Sequence, residues 1–340
     1  MQKNPTLVIT GATAGIGRST ALEFAQRGYN VGLIARDQDA LNKASREVEA
    51  LGVTALGISA DVAKADEIAA AADRIAEALG PIDVWINSAM VTVFAPVEQI
   101  TPEEYKDVTD ITYLGYVHGT LAALKHMKPR NRGCIVQVGS ALAYRSIPLQ
   151  AAYCGAKAAI RGFTDSLRCE LIHDHSKIRV TMVQLPAHNT PQFDWARNKL
   201  GSIAQPLAPI YQPEVAARAI YRAAHRAPRE LWVGRNTVLS IIGSGFIPSL
   251  LDKFLATRAY AGQKGDEKLN GYEDGNLEHP VPGLHEEHGR FESQANERAI
   301  NLSQETVEKT WILAGIGVAT AIAGVILRKK TCHPVCEHDR

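Results

Sequence analysis

Tyr153 and Lys157 stand four residues apart in the run Tyr153-Cys154-Gly155-Ala156-Lys157. On a helix that spacing puts both side chains on one face, where a phenol and an ammonium can meet a common ligand. A free phenol has a pKa near 10, too high for good base chemistry at neutral pH. A neighbouring cation favours the ionised form and brings it nearer the working range. Ser140 lies thirteen residues upstream of the tyrosine and ends the apolar run 134–139. A second cluster, Thr10-Gly11-Ala12-Thr13-Ala14-Gly15-Ile16-Gly17, follows directly on Leu7-Val8-Ile9. A strand running into glycines at the mouth of a helix lets the backbone approach a pyrophosphate, where free N–H groups and a partial positive charge await it. Each feature alone is commonplace. A nucleotide cradle together with a Ser/Tyr/Lys acid–base set points to a redox enzyme.

These residues need a scaffold, and the pattern of apolar runs supplies one. Strand-like runs occur at 7–10, 31–35, 55–59, 84–87, 135–138 and 180–185, separated by helix-length stretches at 16–27, 41–51, 65–79, 103–127 and 151–173. Strand–helix alternation implies right-handed crossovers and a parallel sheet covered on both faces. The expected fold is a doubly wound α/β (Rossmann) domain over residues 1–262. A helix at 213–226 followed by Leu231-Trp232-Val233 predicts a last, edge strand. Residues 240–256 are apolar but interrupted by Gly243, Gly245 and Pro248, which suits either a core or interface helix or contact with a membrane surface.

Beyond this domain the composition changes. Residues 264–310 hold eleven Asp/Glu against five Lys/Arg and show almost no sustained apolar period, so 263–310 reads as an acidic, flexible linker or a loosely folded extension. Residues 311–327 are seventeen without a charge, followed by Arg328-Lys329-Lys330. As a helix they would span roughly 25 Å against a hydrocarbon core of about 30 Å, with Trp311 as an interfacial anchor and Lys309 and Arg328 snorkelling. Gly315, Ala319 and Ala323 form a small-residue stripe suited to close helix pairing in lipid. The expectation is a single-pass membrane anchor carrying a cytoplasmic catalytic domain, although the basic cluster after the span pulls against that orientation. The polar tail 328–340 contains Cys332, His333, Cys336 and His338; with no second ligand pair elsewhere, no metal site is expected. A formal net charge of +1 gives no reason to expect nucleic acid as a partner, and five scattered cysteines make no disulfide framework.

From residue 5 to about 234 the glycine turn, Ser140, Tyr153 and Lys157 resemble, in order and spacing, the short-chain dehydrogenase/reductase family. The resemblance implies hydride transfer between a carbonyl/alcohol pair and a nicotinamide cofactor, with Tyr153 as general acid/base, Ser140 holding the substrate oxygen and Lys157 holding the nicotinamide ribose. It assigns Gly11, Gly15 and Gly17 to the turn, to backbone approach and to helix–strand packing, with Gly15 and Gly17 flanking the phosphates and Thr13 and Ile16 beside them. It assigns Asp61 and Val62 to the adenine, Asn87 and Ala89 to the cofactor, and Pro186 and Thr190 to the loop at the nicotinamide carboxamide or the pyrophosphate. Arg36 ends the second strand where a basic residue suits a 2′-phosphate, so NADP(H) is expected; Asp37 beside it keeps NAD(H) as the alternative. The sequence departs from the family pattern at Ser88, Met90 and Ala187. Thr112 replaces the asparagine that helps position a relay water, which predicts slower chemistry or a shifted pH optimum. A non-catalytic NADP(H)-binding scaffold is the rival class. His188 reads as a solvated loop histidine, with a substrate-facing position as the alternative, and Phe193, Trp195 and Leu200 as an apolar lid. A membrane anchor favours a lipophilic ketone, aldehyde or alcohol, and homodimers or homotetramers are usual for the family.

Overall fold

The computed structural model describes residues 4–269 and 274–310. Its centre is an eight-stranded sheet of β1 (Thr6–Thr10), β2 (Asn30–Ala35), β3 (Ala55–Ser59), β4 (Ile82–Asn87), β5 (Gly133–Ser140), β6 (Ile178–Leu185), β7 (Glu230–Val233) and β8 (Asn301–Ser303). The spatial order is β8-β7-β6-β5-β4-β1-β2-β3, and every pairing from β7 through β3 is parallel. Such strands are covered on both faces, which is why they read as continuous apolar runs. Leu7 and Ile9 enter one core cluster while Val8 between them enters the other. This is the two-residue alternation of a strand.

Helices α1 (Gly15–Ala25), α2 (Gln38–Glu49) and α7 (Pro213–Arg226) cover the Leu7 face. Helices α3 (Ala65–Leu79), α5 (Gly115–Met127) and α6 (Ala151–His173) cover the Val8 face, where Trp85 is wholly buried. Each fully buried Leu, Ile or Phe contributes roughly 1.5–3 kcal/mol. After β3 the chain returns to the other side of β1 to form β4, so the loops after β1 and β4 part company at a topological switch point. At Gly11 (φ +69°) an added Cβ would lie 2.7 Å from the Ala89 Cα, so the two loops touch only because residue 11 is glycine.

Four expectations need correction or refinement. The helix expected over 103–127 is interrupted: α4 (Pro102–Val108), capped by a reciprocal Thr101/Glu104 box, passes into a π-helical turn, Thr109–Leu114, before α5. The strand at 230–233 is not the sheet edge, because β8 pairs antiparallel with it, Trp232 opposite Leu302. Residues 240–256 form parts of two helices, α8 (Arg235–Phe246) and α9 (Pro248–Gly262), broken where Pro248 cannot continue the first. The flexible-linker expectation fails for residues 274–310, since Leu277 and Phe291 are buried in the domain. Two apolar anchors and many backbone partners outweigh the acidic composition. Among the described residues no helix is long and apolar enough to cross a membrane, and the segment 311–327 and the tail 328–340 lie outside them.

Candidate active site

The groove at the switch point is built from the loops after β1, β2, β3, β4, β5 and β6 and measures about 210 Å³. Helix α1 begins after Ala14, which supplies no side-chain cap, so its first turn points uncapped N–H groups toward the groove, although Gly15 N–H donates to the Glu286 carbonyl (2.9 Å). Gly17 allows α1 to seat against the turn, because a Cβ there would lie 1.9 Å from the Gly11 carbonyl oxygen. The residues assigned from sequence to the cofactor line this groove, with one exception. Asn87 is fully buried behind it: its Oδ1 accepts from Trp85 Nε1 (2.8 Å), and its Nδ2 donates to Gln137 Oε1 (2.9 Å) and Thr120 Oγ1 (3.1 Å). It braces β4, β5 and α5 and does not face a ligand. An uncapped helix start, a glycine cradle and Arg36 at the far end fit a nicotinamide dinucleotide.

At the other end of the groove stand Ser140, Tyr153 and Lys157. α6 carries the last two on one face, with Lys157 Nζ 5.6 Å from the Tyr153 ring centroid. Lys157 is 2% exposed, and burial pulls its pKa down to about 7. Its Nζ donates to Tyr116 Oη at 2.9 Å and to the Val138 carbonyl at 2.8 Å. Tyr116 was missed from the sequence; it stands in the first turn of α5, directly after the π-helical turn that carries Thr112. Tyr153 differs from expectation. Burial raises its pKa well above the ordinary phenol value, and the hydrogen bond with Ser140 offsets this only in part. The phenol is therefore the proton-bearing form.

Thr112 is placed otherwise than a relay residue. The π-helical turn turns its hydroxyl onto the loop after β4, where it accepts from Val91 N–H (3.0 Å) and donates to Val91 C=O (2.9 Å). Its only proton is thus committed to backbone. His188 is also corrected: it is 3% exposed, its Nδ1 meets the Pro186 carbonyl (3.0 Å), and burial lowers its pKa to about 4. It is a neutral wall residue of the groove. The lid residues sit as a packed group, Phe193 against Phe94 and Phe291, with Leu200 alongside. Trp195 lines the groove 5.4 Å from His285.

The end of the groove at Arg36 carries a feature that the sequence alone does not show. Arg36 Nη1 donates to the carbonyls of Leu277 (3.0 Å) and Glu278 (3.2 Å), and Nη2 to that of Asn276 (2.5 Å). Asp37 caps α2, accepting from Ala40 N–H at 2.9 Å, and its other oxygen lies 3.3 Å from His285 Nε2. That second pair lies within ion-pair distance, but its geometry leaves His285 Nε2 without a hydrogen bond.

A second cavity of about 550 Å³ adjoins the groove and shares Ser140, Tyr153, Leu185 and Pro186 with it. Its walls are mainly apolar, with Leu142, Phe193, Leu207, Leu251 and Phe254 among them, and Arg145 and Arg258 as cations. Arg145 is paired with Asp252. Phe246, Ile247 and Leu250 of the α8–α9 hairpin are exposed, and so in part is the wall residue Phe254.

Comparison with known proteins agrees with this geometry. Residues 5–200 match the family model described as short chain dehydrogenase. The "Uncharacterized oxidoreductase YxnA" of Bacillus subtilis is 32% identical over 289 residues, covering 84% of this chain and 80% of that protein. Among solved structures, an alcohol dehydrogenase of the archaeon Thermococcus sibiricus complexed with 5-hydroxy-NADP superposes with a TM-score of 0.58 at 26% identity, over 68% of this chain and 96% of that one. An NAD+-bound xylitol dehydrogenase gives 0.52 at 28% identity, over 55% of this chain and 72% of that one. The family match spans more than half of the sequence and includes the glycine turn, Ser140, Tyr153 and Lys157; the chain belongs to the short-chain dehydrogenase family of oxidoreductases.

Proposed function

We propose that this chain reduces the carbonyl group of a lipophilic ketone or aldehyde to an alcohol with NADPH. The observation that carries this reading is that Ser140 and Tyr153 both stand at the seam between the dinucleotide groove and the apolar cavity. A carbonyl in the cavity would there meet both hydroxyls and the hydride-carrying edge of the groove. When bound, the nicotinamide supplies the hydride. Ser140 donates a hydrogen bond to the carbonyl oxygen, and Tyr153 gives that oxygen its phenolic proton. Burial raises the Tyr153 pKa, so the phenol holds the proton that reduction consumes. Lys157, held by Tyr116 and Val138, presents its ammonium beside the phenol and stabilises the phenolate left behind.

The cofactor preference rests on Arg36 and Asp37. Arg36 lines the groove as the cation suited to a 2′-phosphate, whereas the Asp37 carboxylate is used as a helix cap and faces His285, so it is poorly placed to accept from a ribose hydroxyl. The bound NADP analogue of the Thermococcus sibiricus enzyme supports the same choice, and the NAD+ of xylitol dehydrogenase stands for the alternative. We further propose attachment to a membrane through residues 311–327, with the catalytic domain cytoplasmic. The seventeen uncharged residues and the exposed apolar side chains of the α8–α9 hairpin support this. A homodimer or homotetramer through the helices of residues 102–127 and 151–173, where Leu121 and Ile172 are exposed, is the expected assembly.

The test is NADPH and NADH oxidation across lipophilic ketones and aldehydes, beside Tyr153→Phe. Loss of the phenolic proton should lower turnover about 10²–10⁴-fold while nucleotide binding persists. Turnover that survives the substitution would reject Tyr153 as the acid.

A further inference from the structure

The segment after the catalytic domain lies across the mouth of the groove. Its two ends are fixed. At one end Asn276 N–H donates to the Trp195 carbonyl (2.8 Å), Leu277 is 1% exposed, and Glu278 pairs with Arg197 (2.6 Å). Gly275 (φ +67°) fits tightly here, since a Cβ would lie 2.4 Å from the Trp195 carbonyl oxygen and the Arg197 nitrogen. At the other end Gly289 and Phe291 bond to Asn189, and Phe291 packs edge-on to Phe193. Between these anchors none of residues 279–287 is buried, and Pro280, Val281 and His285 line the groove.

What the span touches is the phosphate machinery. Gly15 N–H, in the glycine turn, donates to the Glu286 carbonyl (2.9 Å). His285 Nδ1 meets Thr13 Oγ1 (3.1 Å), and Arg18 donates to the His285 carbonyl. Arg36 spends its fork on three carbonyls of residues 276–278. With the span in place the groove measures about 210 Å³, below the roughly 300–1,000 Å³ usual for a ligand site.

We propose that residues 276–288 are a self-inhibiting strap, which occupies the donors that a dinucleotide's phosphates need and must be displaced for cofactor to bind. The inference rests on the reading of the groove as a nicotinamide dinucleotide site. It also gives the strap a part in choosing the cofactor. The bonds it makes with Arg36 are from a cation to neutral carbonyls. A phosphate at the same guanidinium makes charge-assisted, bidentate bonds about twice as strong. A 2′-phosphate therefore displaces the strap from Arg36, whereas a ribose hydroxyl does not repay the loss. The anchor at Phe291, outside the strap, keeps it tethered nearby when residues 276–278 leave Arg36, so it closes again when the cofactor leaves.

The experiment is limited digestion of the full chain with a glutamate-specific protease, scored at Glu286 and Glu287, in the presence of NADPH, NADH or neither. Nucleotide binding is measured in parallel by thermal shift and by quenching of tryptophan fluorescence. NADPH should speed strap cleavage at least fivefold, NADH should do so less, and His285→Ala should bind NADPH several-fold more tightly than the parent. Binding accompanied by unchanged or slowed cleavage, or weaker binding by His285→Ala, would show a retaining clasp and overturn the proposal alone. Absence of binding by either nucleotide would overturn the dinucleotide reading and the strap with it.

Discussion

Lys157 Nζ and Tyr116 Oη lie 2.9 Å apart, both sealed from solvent, with the Val138 carbonyl bonded to each. The tyrosine is forty-one residues from the lysine in sequence and on another helix. It gives the buried ammonium a second acceptor, which favours the charged form against the cost of desolvation. Tyr116 is thus a positioning residue for the lysine and not a carrier of the transferred proton.

Tyr116→Phe should lower turnover about tenfold with little change in fold, since a hydrogen bond to a charged group is worth about 1.5–3 kcal/mol. The more telling readout is the pH–rate profile. Removal of the acceptor should move the lysine limb to lower pH. A profile and rate identical to the parent would show that the contact does not matter.

The depressed pKa of Lys157, about 7 against an ordinary 10.5, carries a signed consequence for stability. Between those values the unfolded chain holds a proton that the folded one lacks, so unfolding free energy rises with pH. The penalty is fully present below pH 7 and fades as pH climbs toward 10.5, amounting to a few kcal/mol at most. Urea midpoints of the parent and Lys157→Met at pH 6.5 and 9.5 isolate it. The parent should gain on the variant as pH rises, and a constant difference would refute the assignment.

Arg36→Ala should weaken NADPH binding by about ten- to a hundredfold, the loss of one or two charge-assisted bonds, while leaving NADH binding within a few-fold. Equal loss for both nucleotides would mean that Arg36 acts only on the backbone of residues 276–278. Titration with each nucleotide separates the two.

Two glycines on helices should respond oppositely to alanine. Gly17→Ala drives a Cβ to 1.9 Å from the Gly11 carbonyl oxygen and should cost about 1–3 kcal/mol together with nucleotide affinity. Gly162→Ala, on α6 with nothing within 4 Å of the new atom, should stabilise by about 0.5–1 kcal/mol. Thermal melts of both variants provide the comparison, and a rise in melting temperature for Gly17→Ala would contradict the packing argument.

Much of this molecule is legible in its sequence because the determinants are local. α3, α6 and α7 begin and end where the sequence pattern places them, at 65–79, 151–173 and 213–226. Their apolar period and terminal residues lie within the segment itself. The strands are legible for the same reason, as β-branched runs buried on both faces, and the glycine turn and the Tyr153–Lys157 spacing specify short-range geometry. Tertiary structure decided everything that depends on distant partners. The solvation of His188 turned on the covering loops, Thr112 was claimed by Val91, and the Glu230–Val233 strand gained a neighbour from residues 301–303. Most of all, the acidic stretch read from composition as a free linker became a strap on Arg36, across 241 positions of sequence. Composition reports the average polarity of a segment, whereas docking is settled by a few buried side chains, here Leu277 and Phe291, and by which backbone groups they bring within reach of a donor.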